Sequence, residues 1–221
     1  MADKKDEQLL LKARSLKKSF KNLEVLKGLD IDWYAGERIA LIGQNGAGKT
    51  TLIRCILGEY VYDGELQVLF KNPRKQRVEI LQEVGFVPQI PPPLKMTVKE
   101  LLKFFSDISN IEQDKFIEIA GNLGLEIKDS FSKPFVALSG GMKQKLLVSF
   151  ALGREPKVLL MDEPSANLDP AARESFFKLL ASYNPDALLV LSSHRMTEIE
   201  GLVNRVVEMD FGKVVLDKKL N

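Results

Sequence analysis

The sequence is short of several residues on which protein chemistry often rests. Its 221 residues include one cysteine, one histidine and one tryptophan. A single cysteine, Cys55, excludes an internal disulfide. It sits in the run TTLIRCILG, on the apolar side of an expected helix, and reads as core. No apolar run approaches the roughly 20 residues that a membrane span needs. The start, MADKKDEQ, is charged and lacks the apolar stretch of a signal peptide. A cytoplasmic protein is therefore expected, with any link to a membrane coming through a partner. Net charge is only +2, with acids and bases interspersed. That gives no argument for nucleic acid binding or for an acidic substrate. There is no internal repeat and no low-complexity tract. What is present is a globular balance, 45% hydrophobic and 28% charged, enough for one or two lobes.

The chain alternates strand and helix signals. Leu9 to Phe20 and Leu23 to Tyr34 read as strands, separated by turn signals at Lys21 and Asn22 and followed by another at Ala35 and Gly36. RIALIG, Arg38 to Gly43, is a continuous apolar run, as expected of a strand buried on both faces. A helix should follow from Lys49. GELQVLF after Asp63 reads as a strand, and EVGFVPQ, Glu83 to Gln89, as a short one ending at proline. Pro91, Pro92 and Pro93 then form a stiff extended linker. Helical texture takes over from Thr97, which has capping-box spacing with Glu100. It runs on to an amphipathic helix opened by Ser139, Gly140 and Gly141. Strand texture returns at KVLLMDE, Lys157 to Glu163, and at ALLVLSSH, Ala187 to His194. Asp169 and Pro170 open a helix between those two. An α/β core interrupted by a helical insert at roughly residues 90–152 is the expected organisation.

Chemistry concentrates where strands end. Gly43-Gln44-Asn45-Gly46-Ala47-Gly48-Lys49-Thr50 fits G-x-x-x-x-G-K-[ST], directly after a buried strand and before a helix. Small residues let the backbone wrap phosphates, so that N–H groups from Asn45 to Thr51 point inward. Lys49 would bridge the β- and γ-phosphates, and the Thr50 hydroxyl would hold Mg²⁺. A second buried strand delivers Asp162 and Glu163 to the same edge, because ligands of open parallel sheets sit beyond the carboxyl ends of the strands. Asp162 would hold Mg²⁺ directly or through water. Glu163 would polarise an attacking water. His194 ends a third strand at that edge and would contact the γ-phosphate. Gln89 follows a short strand, and its amide could bind metal or water. Ser139, Gly140 and Gly141 form another helix start suited to phosphate, so the chain carries two.

Taken together these residues resemble the nucleotide-binding subunit of an ATP-binding cassette (ABC) transporter, from about Leu11 to Leu216. GQNGAGKTT matches Walker A, Gln89 in FVPQ the Q-loop, LSGGMKQ the signature and VLLMDE Walker B. SANLD, Ser165 to Asp169, matches the D-loop and His194 the switch histidine. Phe20 falls where the family stacks an aromatic on adenine; tyrosine is commoner there. Met142 stands where glutamine often follows the two glycines.

The resemblance implies a P-loop NTPase (RecA-like) α/β core at about residues 9–89 and 153–216, with an N-terminal antiparallel β region and an inserted α-helical subdomain at about 90–152. It implies ATP and Mg²⁺ as cofactors, with Thr50, Asp162 and Gln89 around the metal. It also implies head-to-tail dimers, in which Ser139, Gly140 and Gly141 of one chain close over ATP held by the phosphate loop of the other. Asp169 would link the two sites. A homodimer is favoured over a heterodimer. Integral membrane permease subunits are the other implied partners, placing the chain on the cytoplasmic face of the inner membrane. The compact ending leans toward export or assembly-type systems, and no regulatory domain is expected after His194. Two other classes fit less well: a soluble relative acting on DNA or ribosomes, and a regulatory module that binds ATP without cleaving it.

Overall fold

A computed structural model describes residues 8–193, 196 and 199–220. Strands β1 (Leu9–Phe20) and β2 (Leu23–Tyr34) form a hairpin that β4 (Asp63–Val68) joins through β1, giving an antiparallel three-stranded sheet, β2-β1-β4. The second sheet has six strands in the order β5-β6-β7-β3-β8-β9. These are β3 (Arg38–Ile42), β5 (Val84–Val87), β6 (Val158–Asp162), β7 (Leu188–Ser193), β8 (Arg205–Asp210) and β9 (Lys213–Lys219). All run parallel except β9, which turns back along β8. The C-terminal strand region is thus two antiparallel strands joined by a tight turn.

The central strands are apolar throughout because both of their faces are covered. Every residue of β6 and β7 is buried. On one face lies a core shared with β1, β2 and α1 (Lys49–Ile56), including Trp33, Leu52 and Cys55. Burial there pushes the Cys55 thiol up to about 11, which keeps it protonated and inert. On the other face, Leu159, Met161 and Leu191 pack with α6 (Pro170–Ala181) and with α5 (Gly140–Gly153). Short α2 (Arg77–Glu83), for which the sequence offers no clear period, leads into β5.

The helices α3 (Val98–Ser109), α4 (Gln113–Asn122) and the α5 segment from Leu146 to Phe150 build a third core. Phe150 stacks on Phe105 with centroids 4.1 Å apart and meets Phe116 edge-on at 5.4 Å. The Thr97–Glu100 capping box is formed in both directions at the start of α3. Helix α5 departs from the amphipathic expectation. Every residue from Leu146 to Gly153 is buried. The reason is that α5 serves two cores: Val148, Ala151 and Leu152 face the sheet, while Leu146, Leu147 and Phe150 face the helices. A helix covered on both sides has no polar stripe to show.

Candidate active site

Strand register brings the site together. Val87 pairs with Met161, Asp162 with Ser192, and Ile42 with Ser193. Four strand ends are therefore level, and the loops that leave them converge. The loop after β3 reaches α1 through Gly43 at φ 144° and Gly48 at φ 106°, values that side chains resist. A Cβ on Gly43 would lie 2.2 Å from the Met209 carbonyl oxygen, so only glycine lets the loop rest on β8. Gly48 caps α1 without any side-chain hydrogen bond. The first N–H groups of α1 thus keep their capacity for an anion.

The Lys49 ammonium curls over this loop and donates to the carbonyls of Gly43 at 2.6 Å and Gln44 at 3.1 Å. Burial lowers its pKa, and the nearby charges of Glu163 and Asp162 partly restore it. Thr50 donates its hydroxyl to Asp162 Oδ2 at 2.7 Å, and Ser192 donates to Asp162 Oδ1 at 2.5 Å. The Ser192 oxygen also accepts the Glu163 N–H at 3.0 Å. Glu163 sits just past β6 with φ 47°, an unusual backbone state for a glutamate. That turn puts its side chain on a different course from Asp162. A pocket of about 240 Å³ opens here, lined by the loop from Asn45 to Thr51 together with Gln89, Asp162 and Glu163.

Thr50 and Asp162 offer hard oxygens 2.7 Å apart. That donor set suits Mg²⁺, which takes one or two protein oxygens and completes its shell with water and phosphate. No group of three or more His, Cys, Asp or Glu that could hold a metal occurs among the described residues.

Other expected residues stand apart from this pocket. Phe20 is 40% exposed and pairs across the hairpin with Leu23, which lines the pocket. Its ring meets Tyr60 edge-on at 5.1 Å, and the Lys18 ammonium lies 4.5 Å from its centroid. Ser139 and Gly140 are exposed at the start of α5, and the Ser139 hydroxyl accepts the Met142 N–H at 3.2 Å. Asp169 caps α6 by accepting the Ala172 N–H at 2.9 Å and pairs with Lys145 at 3.2 Å. The Ala172 bond first, then Lys145, holds its carboxyl below the usual range. His194 lies outside the described residues.

Ser192 and Tyr60 were not singled out in the sequence. A serine inside the apolar run LLVLSS carries no spacing signal. Only pairing with Asp162 shows what it does. Tyr60 follows a helix end, with nothing local to link it to Phe20.

The family model described as ABC transporter matches residues 26–166. The human phospholipid-transporting ATPase ABCA7 is 34% identical over 91% of this chain, and the chain spans only 10% of that protein's length. The lantibiotic transport ATP-binding protein SrtF of Streptococcus pyogenes is 28% identical, across 95% of this chain and 91% of its own. The structure of cbiO1 from Clostridium perfringens, described as part of an ABC transporter complex, superposes with a TM-score of 0.77 at 26% identity, covering 96% of this chain and 89% of the other. The phosphate loop, the paired carboxylates and the turn that opens α5 all lie within the matched span, and the chain belongs to the ABC transporter family.

Proposed function

We propose that the chain binds MgATP at the level strand ends and hydrolyses it to drive a membrane-embedded transport partner. The observation that carries this reading is the hub at Asp162. One of its oxygens is held by Thr50 of the phosphate loop and the other by Ser192, while that same serine holds the Glu163 backbone. The phosphate loop, the Asp162 carboxylate and the Glu163 backbone thus share one hydrogen-bonded framework, which supports this reading.

The roles follow from the chemistry. Backbone N–H groups from Asn45 to Thr51 cradle the phosphates, and Lys49 swings from its loop carbonyls to bridge the β- and γ-phosphates. Thr50, Asp162 and Gln89 would hold Mg²⁺, which would supply charge neutralisation at the phosphate oxygens. Glu163 accepts a proton from the attacking water, and Gln89 and His194 keep that water and the γ-phosphate in line. Phe20 stacks on adenine.

Closure joins two copies head to tail, with Ser139, Gly140 and Gly141 of each meeting the other's γ-phosphate and Asp169 linking the two sites. Shifting closure from 1:99 to 99:1 takes about 5.5 kcal/mol of differential affinity. Several charge-assisted hydrogen bonds per nucleotide are of that order. Residues 90–152 act as the helical subdomain that transmits closure, against a core at about 9–89 and 153–216.

The chain works on the cytoplasmic face of a membrane, beside separate permease subunits. No helix among the described residues is long and apolar enough to cross a membrane. Export is favoured as the direction, because the similar Streptococcus pyogenes protein that matches over nearly its whole length is a lantibiotic transport protein.

The test is the Glu163→Gln protein. Phosphate release should fall by about 10²- to 10⁴-fold while ATP still binds. Its mass in solution should shift from monomer to dimer on adding MgATP. Wild-type turnover in that variant would refute the role given to Glu163.

A further inference from the structure

The start of α5 and the loop that carries Gln89 meet inside one chain. Gln144, one turn into α5, is fully buried. Its Nε2 donates to the Pro88 carbonyl at 3.5 Å, the long limit of a hydrogen bond. Pro88 has no N–H to give, so the amide nitrogen and not the oxygen must face it. The oxygen, Oε1, is buried with no partner among the described residues. The large majority of buried polar atoms are bonded, so this amide has unused capacity.

The next residue reaches the other way. Lys145 Nζ lies 3.2 Å from Asp169 Oδ2 and 3.5 Å from the Gly124 carbonyl, with its side chain only 12% exposed. Gly141, in the turn before, passes close to Asn167: a Cβ there would come within 3.0 Å of the Asn167 carbonyl. One short piece of helix therefore holds the loop that follows β5 and the loop that precedes α6. Between those loops β6 delivers Asp162 and Glu163.

We propose that Gln144 is a positioning residue, which couples the placement of Gln89 at the chain's own nucleotide to the placement of the α5 start that completes a partner's site. The inference rests on the head-to-tail reading given under Proposed function. Its physical basis is the unspent oxygen. An arrangement of residues 88–90 that carried a backbone N–H of this loop to Oε1 would satisfy that oxygen and shorten the bond to Pro88. One long hydrogen bond becomes two ordinary ones. The loop then has two arrangements, and contact of Gln89 with the nucleotide biases the choice.

Gln144→Met tests this, since methionine keeps the length and unbranched shape but removes both polar atoms. Little bonding is lost, so the thermal midpoint should equal or exceed that of the wild type. The KM for MgATP should stay within about threefold while kcat falls by about tenfold or more, the split expected of a residue that acts after binding. In the Glu163→Gln background, the same change should leave ATP bound but weaken ATP-dependent dimerisation. An unchanged kcat would overturn the inference. So would a kcat that falls only in step with a lowered thermal midpoint in both Gln144→Met and Gln144→Leu, since that assigns Gln144 to packing alone. A wild-type protein that does not hydrolyse MgATP at all would overturn the ATPase reading and this inference together. Wild-type hydrolysis with an unaffected Gln144→Met removes only the inference.

Discussion

Two helices in this chain begin with glycine-rich turns, and they are built in opposite ways. Helix α1 starts at Gly48 in a left-handed conformation, with no side chain to cap it and with Lys49 buried beside it. Helix α5 starts at Ser139 in an extended conformation, and the serine hydroxyl accepts the Met142 N–H. Its first residues stand in solvent. An uncapped helix start leaves N–H groups that need an anion, and the surrounding loop holds that place for one. A start already capped by its own hydroxyl is stable alone and can wait at the surface, still able to donate its hydroxyl proton. On the proposed head-to-tail reading, the first design serves the chain's own ligand and the second a ligand carried by another chain.

That contrast can be broken at several points. The largest effect is expected at the buried start. Lys49→Ala should cut hydrolysis by about 10²- to 10³-fold, the scale of losing a preorganised charge donor, measured as steady-state phosphate release. Mixing sharpens the comparison further. Lys49→Ala and Ser139→Ala chains, each inactive alone, should recover about a quarter of wild-type activity when combined, because half of the dimers are mixed and each has one intact composite site. No recovery would place Ser139 on its own chain's nucleotide. A smaller effect is expected in stability. Ser192→Ala strips a donor from Asp162 and an acceptor from the Glu163 N–H, costing about 1–3 kcal/mol in a urea melt. The smallest is Ser139→Ala, at about 1 kcal/mol for a lost cap. If the two serine variants reversed that order, the cap rather than the carboxylate hub would be the stiffer element.

What could be read from the sequence was whatever depends on neighbours along the chain. The phosphate loop is set by its own glycines, and the apolar runs of β3, β6 and β7 announce burial on both faces. Their carboxyl ends could be placed at one edge because parallel strands in such sheets share a direction. The Thr97–Glu100 box is likewise local. What depends on packing between distant segments was hidden. Helix α5 reads as amphipathic until its neighbours are known, because its apolar residues divide between two cores. The unmet oxygen of Gln144 and the grip of Ser192 on Asp162 come from register between strands and loops far apart in the chain. The C-terminal hairpin β8–β9 has no motif to announce it.

That hairpin carries a consequence of its own. The phosphate loop rests on it: Gly43 can approach the Met209 carbonyl only as glycine, and the Gly212 N–H donates to the Ala47 carbonyl at 3.1 Å. The loop is made early in synthesis and its floor is made late. A nascent chain that has just exposed Walker A, signature and Walker B would hold three of the motifs and still lack the surface against which the loop packs. Competence to grip a nucleotide would thereby wait for β8 and β9 to fold against β3, which would make ATP binding a report on the folding of that hairpin.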